Sequence, residues 1–198
     1  MRPRRRTRWN HNLHYHRLVL GEIRAGTRSA LDIGCGEGVL ARELRARVPH
    51  VTGIDLDEPS IDLAREEGGD VEYLLGDALV HPLGTFDLVV SVATLHHLDA
   101  RIGLQRFADL TAPGGRLVVV GLAANDGLRD IPRELAAATA NAVAVRRRGY
   151  WEHSAPQVWP PPETYAGMRA IVRDELPGAR FARHLYWRWS LVWDRPGA

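Results

Sequence analysis

Short apolar runs alternate with amphipathic segments between residues 29 and 121. The runs have the length of β-strands, and we predict strands at residues 29–33, 50–54, 71–75, 86–92 and 116–121. The intervening segments carry apolar side chains at helical spacing, and we predict helices at 39–48, at 59–67 and around Leu104, Phe107 and Leu110. Strands that alternate with helices through short loops indicate a parallel sheet covered on both faces.

The flanking segments have different patterns. Helices are predicted at 12–24, 128–145 and 163–175. Residues 180–193 are predicted to form two strands around a tight turn, with one buried face made by Trp187, Trp189, Leu191 and Trp193. The predicted fold is therefore α/β. It comprises a helix, five strand–helix units and an antiparallel hairpin, which together make a three-layer, mostly parallel sheet of seven strands.

Composition indicates one globular domain over residues 1–198, since the chain is 45% hydrophobic and of single-domain length. Its longest apolar run, 117–124, is too short to span a bilayer, so we expect no membrane partner. The single cysteine excludes an internal disulfide framework and favours a cytoplasmic location. All 26 basic side chains are arginine, and we expect residues 1–8 to form a basic, disordered tail rather than a nucleic-acid contact.

Three acidic residues follow three successive predicted strands. Asp32 lies at the end of the first strand, Asp55 after the second and Asp77 after the third. Ligands of open α/β sheets bind at these strand ends. The first strand continues into "LDIGCGEG" at residues 31–38, a bare turn that lets a ligand approach the backbone. These turns contain no basic residue for a phosphate, so the pattern favours a ligand with several donors and a positive charge.

S-adenosylmethionine has this chemistry. It carries an α-ammonium, a sulfonium, a ribose diol and an adenine amine, and it has no phosphate. We expect Asp55 to accept both ribose hydroxyls and Asp77 to accept the adenine amine. Gly34 and Gly36 would let the methionine and ribose portions lie against the main chain.

The complete set of motifs resembles the class I S-adenosylmethionine-dependent methyltransferases, in particular the small-molecule branch of methyltransferase types 11 and 12. The matching segments span residues 31 to about 121 and are "LDIGCGEG", "GIDLDEPSI", "LLGDALVHPLGTFDLVVSVATLHHL" and "LTAPGGRLVVVG". The resemblance implies a Rossmann-like fold and S-adenosylmethionine as cofactor. It also implies these cofactor-binding residues: Asp32, Gly34, Gly36, Gly38, Asp55, Asp77 and Ser91.

The segment after the fourth strand indicates the class of methyl acceptor. Its sequence is "SVATLHHL", which lacks the motif that amino-methylating DNA and RNA enzymes use to clamp a flipped base. A small-molecule acceptor is therefore expected, methylated on oxygen, nitrogen or carbon. If a general base is needed, His97 and His96 are candidates, since histidine titrates near neutral pH.

Two segments are expected to cover the site. The first is an N-terminal lid helix at 9–25, from which Tyr15 could close the site as a further catalytic candidate. The second is a substrate-cover insertion at 125–165 with aromatic and histidine side chains: Tyr150, Trp151, His153 and Trp159. His11 and His14 have the spacing of metal ligands, but no third ligand is evident, so we expect no metal.

Three alternatives stay open at this point. The protein could bind the cofactor without transferring a methyl group, or direct another reaction such as cyclisation. It could modify RNA through the arginine-rich tail. It could also be a nicotinamide oxidoreductase, which the glycine spacing and the third acid disfavour. The sequence carries no indication of oligomeric state.

Overall fold

One sheet organises the part of the chain that the computed structural model describes, residues 9–127, 130–151 and 160–197. Its strands are β1 (Ser29–Ile33), β2 (His50–Asp55), β3 (Glu72–Leu75), β4 (Phe86–Val92), β5 (Thr111–Leu122), β6 (Arg180–Arg183) and β7 (Arg188–Asp194). Within the described residues the order is β3-β2-β1-β4-β5-β7-β6. The strands from β3 to β5 are parallel, and β7 pairs antiparallel with both β5 and β6.

Helices cover both faces of the sheet. They are α1 (His11–His14), α2 (His16–Gly21), α3 (Val39–Arg45), α4 (Glu58–Glu67), α5 (Ala100–Leu110), α6 (Ile131–Arg148) and α7 (Tyr165–Glu175). The core on one face combines sheet residues with α2, α3 and α4, and the core on the other combines them with α5 and α7. The predicted Rossmann-like α/β fold with a C-terminal antiparallel hairpin is confirmed.

The prediction of five strand–helix units is wrong between β3 and β4, where the structure has turns and no helix. The connection covers only residues 76–85 and contains Pro82 and two glycines, a composition that opposes a helix. Asp77 organises a turn here, because its carbonyl accepts from the backbone amides of Val80 and His81.

The single helix predicted at 12–24 is also wrong, since the structure has α1 and α2 with Tyr15 between them. The amide of Tyr15 bonds to the carbonyl of Asn12, three residues earlier, which tightens the turn. The Tyr15 side chain is buried, and its hydroxyl donates to the carbonyl of Leu185 at 2.7 Å. This anchor fixes the break between the two short helices.

The predicted common face of the hairpin holds for three side chains out of four. Trp189, Leu191 and Trp193 belong to the core under α5 and α7. Trp187 precedes β7, has a left-handed backbone with φ of 57°, and packs against the opposite core. Side chains therefore alternate between the two faces of the sheet only from the start of β7. The prediction applied this alternation to Trp187 as well and placed it on the wrong face.

Of the two segments expected to cover the site, the N-terminal one at 9–25 is described in full and the one at 125–165 only in part. The basic tail at 1–8 lies outside the described residues, as do 128–129 and 152–159, which include His153 and Trp159. Within 125–165, α6 occupies Ile131–Arg148, three residues later than predicted. No helix in the described ranges is long and apolar enough to cross a membrane.

The fold yields a stability prediction at Gly121 in β5. A side chain there would collide with the ring of Trp189, which is buried and donates from Nε1 to the carbonyl of Leu122 at 3.0 Å. Gly121→Ala should cost about 1–3 kcal/mol through overpacking, lowering Tm by roughly 2–12 °C. Gly84→Ala is the control, because nothing lies within 4 Å of its added Cβ. Calorimetric Tm values that fell equally in both variants would contradict this account.

Candidate functional site

A cavity of about 470 Å³ opens at the carboxyl ends of the parallel strands. It lies where the strand order reverses between β1 and β4, the place at which open α/β sheets bind ligands. Among the site residues predicted from sequence, six line it: Asp32, Gly34, Gly36, Asp55, Asp77 and His97. The remaining four are described residues that do not line it: Gly38, Ser91, His96 and Tyr15.

Asp32 is the most deeply buried acid of the site. Its residue is only 2% exposed, and its Oδ2 atom has no hydrogen-bond partner. Burial raises the pKa of this carboxyl to about 7, and repulsion from Asp55 acts in the same direction. The cavity therefore contains an unsatisfied acceptor whose ionised form a bound cation would stabilise.

Asp55 and Asp77 organise the turns after β2 and β3. Asp55 accepts from the backbone amide of Gly36 at 2.7 Å and, through its other oxygen, from that of Asp57 at 2.9 Å. Asp77 accepts from the backbone amide of Leu79 at 2.9 Å. A carboxylate oxygen has two lone pairs, so these bonds leave capacity for a ligand.

The three glycines of the first turn are required for different physical reasons. All three have positive φ, at 72° for Gly34, 51° for Gly36 and 72° for Gly38. A Cβ on Gly34 would collide with the Thr94 side chain, and one on Gly38 would collide with the Tyr73 ring. A Cβ on Gly36 would meet nothing within 4 Å. Gly36 therefore presents open backbone to the cavity, while Gly34 and Gly38 allow close packing.

Cys35, between two of these glycines, is a packing residue. It is buried, and burial is the main cause that raises the pKa of its thiol far above the ordinary value. Its side chain lies against Gly53, where a Cβ would approach Sγ to 2.9 Å. A thiol with so little thiolate character is unsuited to nucleophilic or redox chemistry.

Thr94, rather than Ser91, reaches the cavity after β4. The Ser91 side chain is fully buried, and its hydroxyl donates to the carbonyl of Ile33 at 3.1 Å. The Thr94 hydroxyl donates to the same carbonyl at 3.3 Å, and Thr94 lines the cavity. Sequence reasoning missed Thr94 because the irregular backbone after β4 hides which side chain turns toward the site.

His96 and His97 lie in a 3-10 helix at Leu95–His97, with ring centroids 4.1 Å apart. Only His97 lines the cavity. Burial lowers the pKa of His97, and the nearby Asp55 opposes this effect. Burial lowers the pKa of His96 to about 4, with further repulsion from His97 and Arg188, and its Nδ1 has no partner. Both imidazoles are neutral at pH 7 and can accept a proton.

The N-terminal segment forms one wall of the cavity through Asn10, Asn12, Leu13 and His16. Asn10 accepts from the amide of Leu13 at 2.9 Å as the N-cap of α1. The buried His16 holds Nδ1 2.8 Å from a carboxylate oxygen of Glu43 on α3. Tyr15, the predicted closing residue, has no place in this wall. The signal that could have found the wall is helical spacing, because Asn12, Leu13 and His16 share a side that excludes Tyr15.

Trp151 connects the cover segment to this wall. It lines the cavity, its amide donates to the carbonyl of Trp9 at 2.9 Å, and its carbonyl accepts from Asn10 Nδ2 at 3.4 Å. Tyr150 packs edge-on against Trp9 and His11.

His11 and His14, which have the spacing of metal ligands, make other contacts. His11 Nε2 lies 2.8 Å from Asn141 Oδ1, and His14 packs edge-on against Tyr15 and Tyr186. Within the described residues, no cluster of three or more His, Cys, Asp or Glu side chains could hold a metal ion. That the protein works without a metal stays a prediction.

The acceptor groups and the open backbone of the cavity fit S-adenosylmethionine. The unsatisfied oxygen of Asp32, the strand-end acids Asp55 and Asp77, and the open backbone at Gly36 suit a cationic ligand with several hydroxyl and amine donors. None of the described residues that line the cavity is an arginine, so it contains no guanidinium for a pyrophosphate.

Comparisons with known proteins agree with this chemistry. A family model described as a methyltransferase domain matches residues 31–119. An uncharacterized methyltransferase from Mycobacterium bovis is 42% identical over 193 residues, which cover 95% of this chain and 98% of the relative. A ubiquinone biosynthesis O-methyltransferase from Aromatoleum aromaticum is 39% identical over 101 residues, which cover 47% of this chain and 43% of that protein.

Solved structures show the same fold. A methyltransferase from Aquifex aeolicus described as S-adenosylmethionine-dependent aligns with a TM-score of 0.61 at 19% identity, over 90% of this chain and 88% of its own. An O-methyltransferase family protein from Burkholderia thailandensis aligns with a TM-score of 0.61 at 23% identity, over 94% of this chain and 59% of its own. With a relative matched over nearly its whole length and a cavity suited to the cofactor, the chain belongs to the class I S-adenosylmethionine-dependent methyltransferases.

Proposed function

We propose that this enzyme methylates a hydroxyl or another nucleophile of a small molecule, and that Asp32, Asp55, Asp77 and Gly36 hold the cofactor. The observation that carries the proposal is the cavity at the β1–β4 switch point, which combines strand-end acids, one unsatisfied buried oxygen and no arginine among its described lining. S-adenosylmethionine supplies an electrophilic methyl group on a positively charged sulfur.

The three acids divide the cofactor between them in this proposal. Asp55 accepts the ribose hydroxyls while it keeps the amides of Gly36 and Asp57, so the ribose and the glycine turn share one carboxylate. Asp77 accepts the adenine amine. Asp32 is the most deeply buried of the three, near the carboxyl end of β1, and its free oxygen suits the α-ammonium.

His97 is the proposed proton acceptor. When bound, S-adenosylmethionine would supply the methyl group and keep the electron pair of the broken bond on its sulfur, and the His97 imidazole would take the proton that the acceptor hydroxyl loses. The lowered pKa of His97 keeps the ring neutral at pH 7, which a proton acceptor requires. His96 is the weaker candidate, since it is not among the cavity-lining residues and its pKa of about 4 makes it a poor base.

Asn10, Leu13 and Trp151 line a cavity of about 470 Å³, a volume typical of small-molecule sites, which supports a small acceptor. Partial similarity to an enzyme named as a ubiquinone biosynthesis O-methyltransferase favours transfer to oxygen. Cofactor binding without turnover on any acceptor would favour the binding-protein alternative. Loss of turnover on deletion of residues 1–8 would favour an RNA substrate.

The proposed function yields a prediction for Asp55. Asp55→Ala removes charge-assisted bonds worth about 1.5–3 kcal/mol, so affinity for S-adenosylmethionine should fall roughly ten- to a hundredfold by calorimetry. Asp87→Ala is the matched control. Asp87 also accepts two backbone amides, those of Arg28 at 2.8 Å and Ser29 at 3.0 Å, but it lies at the opposite end of the sheet. Unchanged affinity in the Asp55 variant, or equal losses in both variants, would contradict the assignment.

The second prediction concerns His97. His97→Ala should slow single-turnover transfer roughly 10²–10⁴-fold at neutral pH, with cofactor affinity within a few-fold of wild type. The test uses labelled S-adenosylmethionine and a panel of small phenols and hydroxy acids between pH 6 and 10. The defect should shrink as the pH rises and the acceptor ionises unaided. A defect that stays constant with pH would move the role of base to the wall at residues 10–16.

A further inference from the structure

Arg188, the first residue of β7, is a buried cation without an acidic partner. Its residue is 6% exposed. Nη1 donates to the carbonyl of Tyr186 at 3.0 Å, Nη2 donates to Asn12 Oδ1 at 2.7 Å, and Nε has no partner. Both acceptors are neutral, and no carboxylate of the described residues forms an ion pair with this guanidinium.

Two other arginines with little exposed side chain form ion pairs with carboxylates. Arg116, whose side chain is 14% exposed, pairs with Glu22 at 2.5 Å and with Asp194 at 2.8 Å. Arg183, whose side chain is 16% exposed, pairs with Asp130 at 2.9 Å. Carboxylates neutralise these two guanidinium groups, whereas the partly buried Arg106 and Arg195 bond to backbone carbonyls. Arg188 is the one arginine of the described residues that is buried, and it has no carboxylate partner among them.

An unpaired charge of this kind is costly to the folded state. Burial lowers the pKa of Arg188 to about 10, which still leaves the side chain protonated at pH 7. A buried charge without a partner destabilises a protein, and such groups persist chiefly where function requires them. The arrangement suggests that the missing anion arrives with a ligand.

The position of Arg188 connects it to the cofactor cavity. Asn12, which accepts from Nη2, lines that cavity. Arg188 also lies close enough to His96 to lower its pKa, and the His96 ring packs on His97, which lines the same cavity. The guanidinium therefore lies one hydrogen bond from the cavity wall, at Asn12, and Arg188 itself is not among the described residues that line the cavity.

The free edge of the guanidinium has a specific geometry. Nε–H and Nη2–H point in the same direction and form the fork that binds both oxygens of a carboxylate. In this structure Nε has no hydrogen-bond partner, and Nη2 donates to the amide oxygen of Asn12. A carboxylate could displace that single neutral bond and replace it with two charge-assisted ones.

We propose that Arg188 is the specificity-determining residue for the methyl acceptor, which it binds by a carboxylate group. The acceptor class is a small hydroxy acid, whose carboxylate pairs with Arg188 while its hydroxyl reaches toward His97. The side chains close enough to interact electrostatically with Arg188 include Tyr15, Tyr150 and Tyr165, so aromatic acids are the first acceptors to test. This inference rests on the proposed function and names the class of acceptor for the same site.

The first experiment uses the wild-type protein saturated with S-adenosylhomocysteine. Binding of benzoate, salicylate, 4-hydroxybenzoate and cinnamate is measured by calorimetry at pH 7 against the matched amides, with phenyl phosphate as a separate arm. At least one acid should bind tenfold or more tightly than its amide. Equal affinity within every pair, or no binding of any acid, would overturn the proposal. A preference for phenyl phosphate over all four acids would overturn the assignment to a carboxylate.

The second experiment compares variants. Arg188→Met should abolish the preference for acid over amide, Arg188→Lys should retain part of it, and both should bind S-adenosylhomocysteine as wild type does. Because the charge is unpaired, Arg188→Met should keep or raise Tm, whereas Arg116→Met, which breaks two ion pairs, should lower it. A fall in Tm for Arg188→Met as large as for Arg116→Met would assign Arg188 a structural role. Failure of the wild type to bind S-adenosylhomocysteine would instead refute the proposed function.

Discussion

The burial of a carboxylate without a compensating cation is the constraint on which the site depends. Asp32 occupies the end of β1, the strand between β2 and β4, and the sheet places Asp55 close enough to repel it. The desolvation cost of such a group is substantial, and hydrogen bonds inside the protein do not satisfy its second oxygen. In the proposed complex a cationic cofactor would remove both penalties at once, so the feature that strains the free protein would provide affinity for the ligand.

In the proposed complex, groups of opposite charge bind the cofactor and the methyl acceptor. The acids at the ends of β1, β2 and β3 bind the cofactor, and Arg188 at the start of β7 binds the acceptor. His97 lines the same cavity as these acids, and its neutral ring adds no net charge there. This arrangement favours an acceptor whose anionic end is drawn away from the acids while its nucleophile faces the methyl group.

Local sequence patterns predicted the positions of the strand-end acids, whereas long-range packing determined the surroundings of Tyr15 and Arg188. Asp32, Asp55 and Asp77 could be placed because parallel strands align their carboxyl ends at one edge of the sheet, whichever helices separate them. The role of Tyr15 was harder to predict, since its hydroxyl bonds to Leu185, which is 170 residues away. Arg188 could not be recognised at all, because an arginine without an acidic partner looks like any other until the fold brings its neighbours together.

Proton release on cofactor binding tests the central claim most directly. Asp32, with a pKa of about 7, carries a proton in most free molecules at pH 6, and a bound cation favours the carboxylate. Calorimetry of S-adenosylmethionine binding in two buffers of different ionisation enthalpy should therefore show net proton release at pH 6, where the α-ammonium of the ligand is already protonated, and less release as the pH rises. Affinity should weaken as the pH falls below 7, and Asp32→Asn should show neither effect. Binding at pH 6 without proton release by the wild type, or with the same release by Asp32→Asn, would contradict the account.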